Sequence, residues 1–321
     1  MSKYILRRVA ASIPVLILAS MLVFLLVREF GADPARVRCQ LSRDQQCRER
    51  AREALGLDAS LPEQYVTFMG DFVQGDWGQS QRTDRSVAES IRGDMWETSQ
   101  LAFWGVLFSG TIALLVGVYS ASKPYSRGDY LFTGLAFAGI AMPTFWFGLL
   151  TIQYLTFELQ QLVGSTEPIF FSIPNPVDSG AVDYFRELAL PVLVLSVQLV
   201  AGWSRYQRSS MLEELNSDYI RTARAKGLPR RTVVWKHGLR NSMSALVTVI
   251  AIDVGALFGG LIITERIFSR PGMGTLLLSA LDNGDTQIVL PWMLVTGVII
   301  VVFNLVADVA YGILDPRVRL S

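Results

Sequence analysis

Residues suited to bond chemistry are few in this sequence. His237 is the only histidine, which excludes any site that needs two, such as an H-E-x-x-H metal motif. Cys39 and Cys47 are the only cysteines, too few for a four-cysteine zinc or iron–sulfur centre. No G-x-x-x-x-G-K-[ST] motif occurs, so the chain carries no phosphate-binding loop of its own. We therefore expect no catalytic residues, no metal site and no cofactor on this chain.

Long apolar blocks dominate the chain instead. Of its 321 residues, 51% are hydrophobic and 18% are charged, and its net charge of +1 argues against a nucleic-acid partner. An apolar block of about 20 residues spans a bilayer. Six blocks lie at residues 9–27, 99–121, 130–157, 188–202, 244–263 and 288–314. The sequence thus predicts an all-α polytopic membrane protein with six transmembrane helices, the first of them an uncleaved anchor.

The lysines and arginines are distributed unevenly between the two sides of these spans. With the N-terminus in the cytoplasm, sixteen fall in the inner segments and three in the short outer loops. The first outer segment, residues 31–98, is too long to count in this rule. Since basic residues favour the cytoplasmic side, we expect both termini to be cytoplasmic.

The outer segment (31–98) has the pattern of three amphipathic helices. Ser42 or Asp44 can cap the first, Pro62 can open the second, and the third covers residues 86–96. The second places Tyr65, Met69 and Phe72 on one face, with Val66 and Val73 beside them. These helices either pack on the outer mouth or lie at the membrane interface. A folded cap without chemistry and a docking surface for a partner remain equal alternatives.

The two cysteines lie close together just after the first span. Because the outer side permits oxidation, we expect Cys39 and Cys47 to form a disulfide that stabilises this region locally. Two free thiols are the alternative.

The cytoplasmic segment 205–242 is the most informative stretch. Ser217 or Asp218 can cap a helix over residues 219–226, Gly227 suits its C-terminal turn, and Pro229 prevents continuation. A helix of two turns is not stable alone in water. We therefore expect its apolar edge, with Tyr219, Ile220 and Ala223, to pack on something outside the chain. A basic helix lying on anionic lipid is the alternative.

The run from Asp218 to Leu228 resembles the EAA loop of bacterial ABC importer permeases of the dipeptide/oligopeptide type. Ala223, Gly227 and Leu239 match the general pattern, and R-T-A-x-x-x-G is the variant typical of peptide permeases. Other segments also resemble the family and occur along the chain in the same order as in its members. They are residues 7–8, 31–34, 55–58, 61–65, 75–78, 141–146, 264–274 and 315–317. The resemblance thus covers the whole chain.

The resemblance implies a type I ABC importer permease fold in a bacterial inner membrane. Its parts would be a tail and first helix (1–30), an extracytoplasmic loop (31–98), a five-helix core (99–314) and a cytoplasmic tail (315–321). The implied partners, besides the lipid bilayer, are a second permease, an extracytoplasmic solute-binding protein and two cytoplasmic ATPases that bind ATP and magnesium. The coupling helix that would contact an ATPase comprises Asp218, Tyr219, Ile220, Arg221, Thr222, Ala223, Arg224, Ala225, Lys226 and Gly227.

Two further features are candidates for transport roles. Asp253 lies inside the fifth apolar block, so it faces either a wet pathway or subunit interface, or it is a hydrogen-bonded structural aspartate. A bend followed by a short apolar helix at residues 268–281 predicts an outer gate, with a plain re-entrant cap as the alternative. The gate candidates are Phe268, Pro271, Gly272, Met273, Gly274 and Leu277.

The sequence therefore predicts the permease subunit of an ATP-driven importer for peptides, which forms the pathway with a second permease and is not itself an enzyme. Relatives carry nickel, glutathione or oligosaccharides, so the same machine could carry another small solute. An ion-driven secondary transporter is the rival class, but it usually has several intramembrane charges. A non-transporting scaffold would not need the capped cytoplasmic helix.

Overall fold

The computed structural model describes residues 2–39, 45–173 and 180–314. Among these residues the structure is helical, and the only β-type pairing is an isolated bridge between Gln79 and Ser86. The first helices are α1 (Ser2–Phe30), α2 (Pro34–Arg38), α3 (Gln45–Ala54), α4 (Leu61–Gln74), α5 (Val87–Ser122), α6 (Arg127–Ala141), α7 (Thr144–Thr151) and α8 (Leu159–Val163). They continue as α9 (Ala181–Leu215), α10 (Asp218–Ala225), α11 (Arg230–Thr232), α12 (Leu239–Gly260), α13 (Ile262–Ile267), α14 (Met273–Asp282) and α15 (Thr286–Leu314). Two π-helical segments, Ile152–Glu158 and Val233–Gly238, join α7 to α8 and α11 to α12.

Five helices in the described ranges are long and apolar enough to cross a membrane. They are Leu6–Phe30, Val87–Ser122, Ala181–Leu215, Arg230–Gly259 and Thr286–Ala310. A bent pair, Arg127–Ala141 with Thr144–Val163, makes a sixth if it is counted as one span. The prediction of an all-α membrane protein is therefore confirmed, with six spans if the bent pair is one span, although two of the spans differ from the expected helices.

The third predicted span, 130–157, is not one continuous helix. The helical path bends by 103° between Arg127–Ala141 and Thr144–Val163. Met142 between them has an extended backbone, with φ −81° and ψ 121°. Pro143 explains this break, because proline disfavours the helical conformation in the residue before it. The apolar block is therefore a broken span or a re-entrant segment.

The fourth predicted span, 188–202, is only the middle of a much longer helix. α9 has 35 residues and continues to Leu215. The segment expected to become a cytoplasmic loop at Arg205 thus begins with about three more helical turns. As a result, α10 follows directly on the end of a membrane helix, separated from it by Asn216 and Ser217 alone.

The helices form a bundle in which α5 packs along α9 and α12 packs along α15. At the edges, α6 lies on α9 and α1 lies on α15. Three buried clusters hold this bundle together along its length. They contain Val87, Ile91, Met273 and Trp292 at one end, Ala113, Trp203 and Leu246 in the middle, and Val118, Met211 and Val234 at the other end. The third cluster lies next to α10 and stiffens its attachment.

The segment before α5 contains two of the three predicted amphipathic helices as separate elements. α3 and α4 confirm them, and Gly75 ends α4 in the left-handed conformation, with φ +85°. The third, predicted at 86–96, is instead the first part of α5, which begins after Ser86 and continues to Ser122. Ser42 and Asp44, the suggested cap of α3, lie outside the described residues.

Candidate coupling helix and its supports

The helix α10 ends in a geometry that only a few residues permit. Gly227 has φ +75°, in the left-handed region that favours glycine. Its amide donates to the Arg224 carbonyl at 3.0 Å, and the Leu228 amide donates to the Ala223 carbonyl at 3.4 Å. These two bonds form a Schellman motif, which satisfies the last carbonyls of the helix and stops it. The predicted glycine stop is therefore present.

The start of α10 differs from the predicted side-chain cap. Ser217 occupies the N-cap position with an extended backbone, but its hydroxyl donates to the Glu214 carbonyl at 2.6 Å instead of capping α10. The serine thus ties α10 back to the end of α9. The spacing alone could not reveal this bond, because it depends on where α9 ends.

The apolar edge of α10 packs on the chain itself. Ile220 is fully buried and Ala223 nearly so, in a cluster with Val233. The expectation that the helix has no partner in its own chain is therefore wrong, and Ile220 is not available to enter a groove on another protein. The π-helical segment that begins at Val233 brings this valine under α10.

Tyr219 links three elements at the base of the bundle. Its hydroxyl bonds to the Glu214 carboxylate at the end of α9, and it accepts a hydrogen bond from Asn241 of α12 at 2.9 Å. Burial and the bond to Glu214 raise the pKa of Tyr219. One side chain thus connects α10 to the ends of both membrane helices, α9 and α12.

The opposite face of α10 is exposed. Its side chains recur at the spacing of one helical face: Asp218, Arg221, Thr222, Ala225 and Lys226. Asp218 and Arg221 form an ion pair at 3.4 Å, yet their side chains remain 97% and 72% exposed. This face, which we call the free face of α10, is the part of the predicted coupling helix that another protein can reach.

A buried ion pair fixes α6 to α9 near the same end of the bundle. Arg208 donates two hydrogen bonds of 2.8 Å to the two carboxylate oxygens of Asp129. Asp129 also accepts from the Tyr125 amide at 2.9 Å, and its side chain is only 4% exposed. Sequence reasoning missed this pair. A signal existed, however, since both charges lie beside apolar blocks, where an unpaired charge is costly.

Asp253 lies against a tryptophan within the bundle. The Trp203 indole donates to the Asp253 carboxylate at 2.6 Å, which ties α12 to α9. This bond agrees with the alternative that Asp253 is a hydrogen-bonded structural aspartate. A role of Asp253 in a pathway or subunit interface stays a prediction. Asp308 of α15 forms an ion pair with Arg8 of α1 at 3.1 Å, which ties these two membrane helices together.

The predicted gate segment is packed against the bundle. Phe268 is buried against Leu190 and Val194, and Met273 is buried against Val87 and Trp292. These two side chains therefore do not line an open mouth in this conformation. Pro271 is exposed, Leu277 is half-buried, and Gly272 and Gly274 lie in tight contacts. A gating role of the segment stays a prediction.

Glu265 organises this segment, although sequence reasoning assigned it no role of its own. Its carboxylate accepts from the Thr98 hydroxyl at 2.7 Å and from the Thr275 amide at 3.0 Å. The Thr98 hydroxyl in turn accepts from the Met273 amide at 2.8 Å. Burial raises the pKa of Glu265, although these hydrogen bonds act in the opposite direction. The carboxylate thereby fastens α14 to α5.

We expect Gly274→Ala to destabilise this segment. A β-carbon there would lie 2.6 Å from the Ile262 Cα, so α14 must move away from α13. Overpacking of this kind costs about 1–3 kcal/mol. The purified protein should unfold at a lower temperature, whereas the control Gly297→Ala, where a β-carbon meets open space, should unfold like the wild type. An unchanged midpoint for Gly274→Ala would refute the tight packing.

The two cysteines are bonded in the structure. Cys39 follows α2 and Cys47 lies in the first half of α3, with an S–S distance of 2.09 Å and a Cα–Cα distance of 6.2 Å. Both sulfurs lie in a small cluster with Ala35, Ala51 and Leu57. The disulfide connects α2 to α3, which agrees with the expectation that it stabilises this region locally.

Comparison with known proteins defines the class. Residues 113–320 match the family described as binding-protein-dependent transport system inner membrane component, and residues 1–91 match its N-terminal counterpart. The chain belongs to this family. It is therefore an inner-membrane permease component of a binding-protein-dependent ABC importer, a transport subunit that works with partner subunits.

Individual relatives match over their whole length. The chain is 36% identical to the oligopeptide transport system permease protein AppB of Bacillus subtilis, over 99% of this chain and 100% of that protein. It is 35% identical to the di/tripeptide transport system permease protein DppB of Pseudomonas aeruginosa, over 99% of both. It is 34% identical to the glutathione transport system permease protein GsiC of Escherichia coli K12, again over 99% of both.

Proposed function

We propose that this chain forms, with a second permease, the translocation pathway of an importer for short peptides. The supporting observation is its full-length similarity to permeases named for oligopeptides and for di- and tripeptides. Glutathione, itself a tripeptide, is the second candidate, because the glutathione permease is nearly as similar. In both cases a solute-binding protein delivers the cargo and two ATPases bind ATP and magnesium.

The free face of α10 is the proposed contact with one ATPase. The apolar edge of the helix is occupied by Val233, so the exposed side chains from Asp218 to Lys226 are left for docking. Ser217 and Tyr219 fasten α10 to α9 and α12. When the ATPases close, α10 moves as a rigid body and carries the ends of these membrane helices with it.

A charge reversal on this face should weaken docking. We expect Arg221→Glu to reduce co-purification of the ATPase, more at low than at high salt, because exposed charges are screened by salt. The matched control is Arg127→Glu, an exposed arginine at the first position of α6. Equal recovery of the ATPase with wild type and Arg221→Glu at low salt would remove Arg221 from the contact.

The proposed orientation places α10 in the cytoplasm and α4 outside. In intact cells an impermeant maleimide should label a cysteine at Gln74, which is exposed at the end of α4. It should label a cysteine at the exposed Asn216 only after the membrane is permeabilised. The reverse pattern would overturn the orientation that the basic residues predict.

Uptake by reconstituted vesicles tests the function itself. Vesicles that contain both permeases and both ATPases, with binding protein supplied on the outer side, should accumulate a labelled dipeptide or tripeptide only when ATP is inside. Accumulation should persist when ionophores remove ion gradients. Uptake driven by an ion gradient without ATP would favour the secondary-transporter class. ATP-driven uptake of glutathione alone would select the second candidate.

A further inference from the structure

The helix α4 has three faces of different character. We call them the aromatic face (Tyr65, Phe68, Phe72), the aliphatic face (Val66, Met69, Val73) and the polar face (Glu63, Thr67, Asp71). Because an α-helix has 3.6 residues per turn, side chains at these spacings form three stripes roughly a third of a turn apart. Each face therefore meets a different environment.

The aromatic face is packed on the first membrane helix. Tyr65 and Phe68 lie against Phe24 of α1, with ring centroids 5.5 Å and 5.8 Å apart. The Tyr65 and Ser20 hydroxyls share a hydrogen bond of 2.7 Å. These contacts fall within about one turn of α1, and they hold α4 at a defined level along that helix.

Most of the aliphatic face is left open by the part of the chain that the structure describes. Val66 and Val73 are 68% and 78% exposed, and Met69, on the side nearer the aromatic face, is half-buried. The neighbouring α1 lies at the edge of the bundle and also exposes apolar side chains, among them Leu18 and Leu22. Since α1 is a membrane span at the edge of the bundle, these exposed apolar side chains face lipid. The helix α4 lies beside them through its contacts with Ser20 and Phe24.

The position along α1 at which α4 makes contact agrees with a location of α4 in the membrane interface. Ser20 precedes Val27, the last residue of the first apolar block, by seven positions, which corresponds to about 10 Å of helix. Amphipathic helices at a membrane surface sink their apolar face about 5–10 Å into the boundary between headgroups and acyl chains. At this level the aliphatic face meets acyl chains and the polar face can reach water.

We propose that α4 lies in the interface of the outer leaflet, with Val66, Met69 and Val73 inserted among lipid acyl chains. The outer side is that of the proposed orientation, and the inference does not depend on the transported solute. The segment between α1 and α5 is thereby anchored to the bilayer as well as to α1. A protein partner above the membrane would meet the polar face instead.

Fluorescence quenching in the assembled transporter tests this placement. Val66→Cys, Val73→Cys and the control Thr67→Cys are each labelled with the fluorophore NBD, in vesicles of phosphatidylethanolamine and phosphatidylglycerol with added doxyl-labelled phosphatidylcholine. Wild-type protein is the blank, because Cys39 and Cys47 are bonded to each other. We expect doxyl lipid to quench positions 66 and 73 at least about twofold more than position 67, and aqueous iodide to show the reverse order.

Two results would overturn the proposal. Iodide quenching at positions 66 and 73 that equals quenching at Thr67 would place the aliphatic face in water. Protection of positions 66 and 73 from both quenchers would mean that a protein covers this face. Repeating the measurement without the binding protein then tells whether that protein or the second permease is the cover.

Discussion

A transporter with Gly227→Val should recover its ATPases poorly and lose most ATP-driven uptake, while its spans insert normally. Gly227 has φ +75°, and a residue with a β-carbon is disfavoured there by about 1–2 kcal/mol. That free energy corresponds to about a 5- to 30-fold shift in an equilibrium. We expect a loss of this order in ATPase co-purification and in uptake, measured on the same preparation.

The control for Gly227→Val separates strain from crowding. A β-carbon at Gly227 would meet no atom of the described residues within 4 Å, so the expected effect comes from the backbone alone. A β-carbon at Gly180 likewise meets none of them, but its φ is −65°, which any residue adopts. Gly180→Val should therefore keep wild-type uptake. Wild-type co-purification and uptake in Gly227→Val would show that the left-handed turn is not needed for coupling.

Asp129→Asn should cause a clear loss of stability at this end of the bundle. The substitution leaves the Arg208 guanidinium without its carboxylate. Removing one partner of a buried pair costs about 3–5 kcal/mol, and since Arg208 is 29% exposed we expect about 2–3 kcal/mol. The unfolding midpoint of the purified protein should fall, and uptake should fall with it, because α6 is no longer fixed to α9.

A second ion pair provides the control for Asp129→Asn. Asp183 pairs with Arg186 at 2.9 Å, but its carboxylate is 30% exposed, whereas that of Asp129 is 4% exposed. Because water reaches both members of this pair, it contributes less than a pair with a buried carboxylate. Asp183→Asn should therefore leave the midpoint nearly unchanged. Adding Arg208→Gln to Asp129→Asn should recover part of the lost stability, because no unpaired charge remains. Equal midpoints for the two single variants would contradict the account.

The features that the sequence predicted correctly are those encoded locally. Six apolar blocks mark the spans because hydropathy alone decides membrane insertion. The stop of α10 was predictable from Gly227 and Pro229, since a positive φ and a missing amide act where those residues stand. The break at Met142 was also encoded locally, by Pro143, but apolar composition alone conceals it.

The contacts that support the candidate site were not predictable in the same way. Asp129 and Arg208 are 79 positions apart, and Thr98 and Glu265 are 167 apart. No periodicity connects such residues, because their meeting depends on how whole helices pack. The burial of Ile220 has the same origin, since it required Val233 to turn under α10. Reasoning from the helix alone therefore assigned this side chain to an ATPase.

Photo-crosslinking from the free face of α10 tests the central claim most directly. A photoreactive residue is placed at Thr222, and, as the control, at Tyr125, which is 78% exposed on the neighbouring connection between α5 and α6. In membranes with the assembled transporter, position 222 should crosslink to an ATPase subunit, and position 125 should not. Crosslinking of position 222 to lipid, with no ATPase adduct although the ATPases co-purify, would show that α10 is a membrane-surface helix and not the coupling contact.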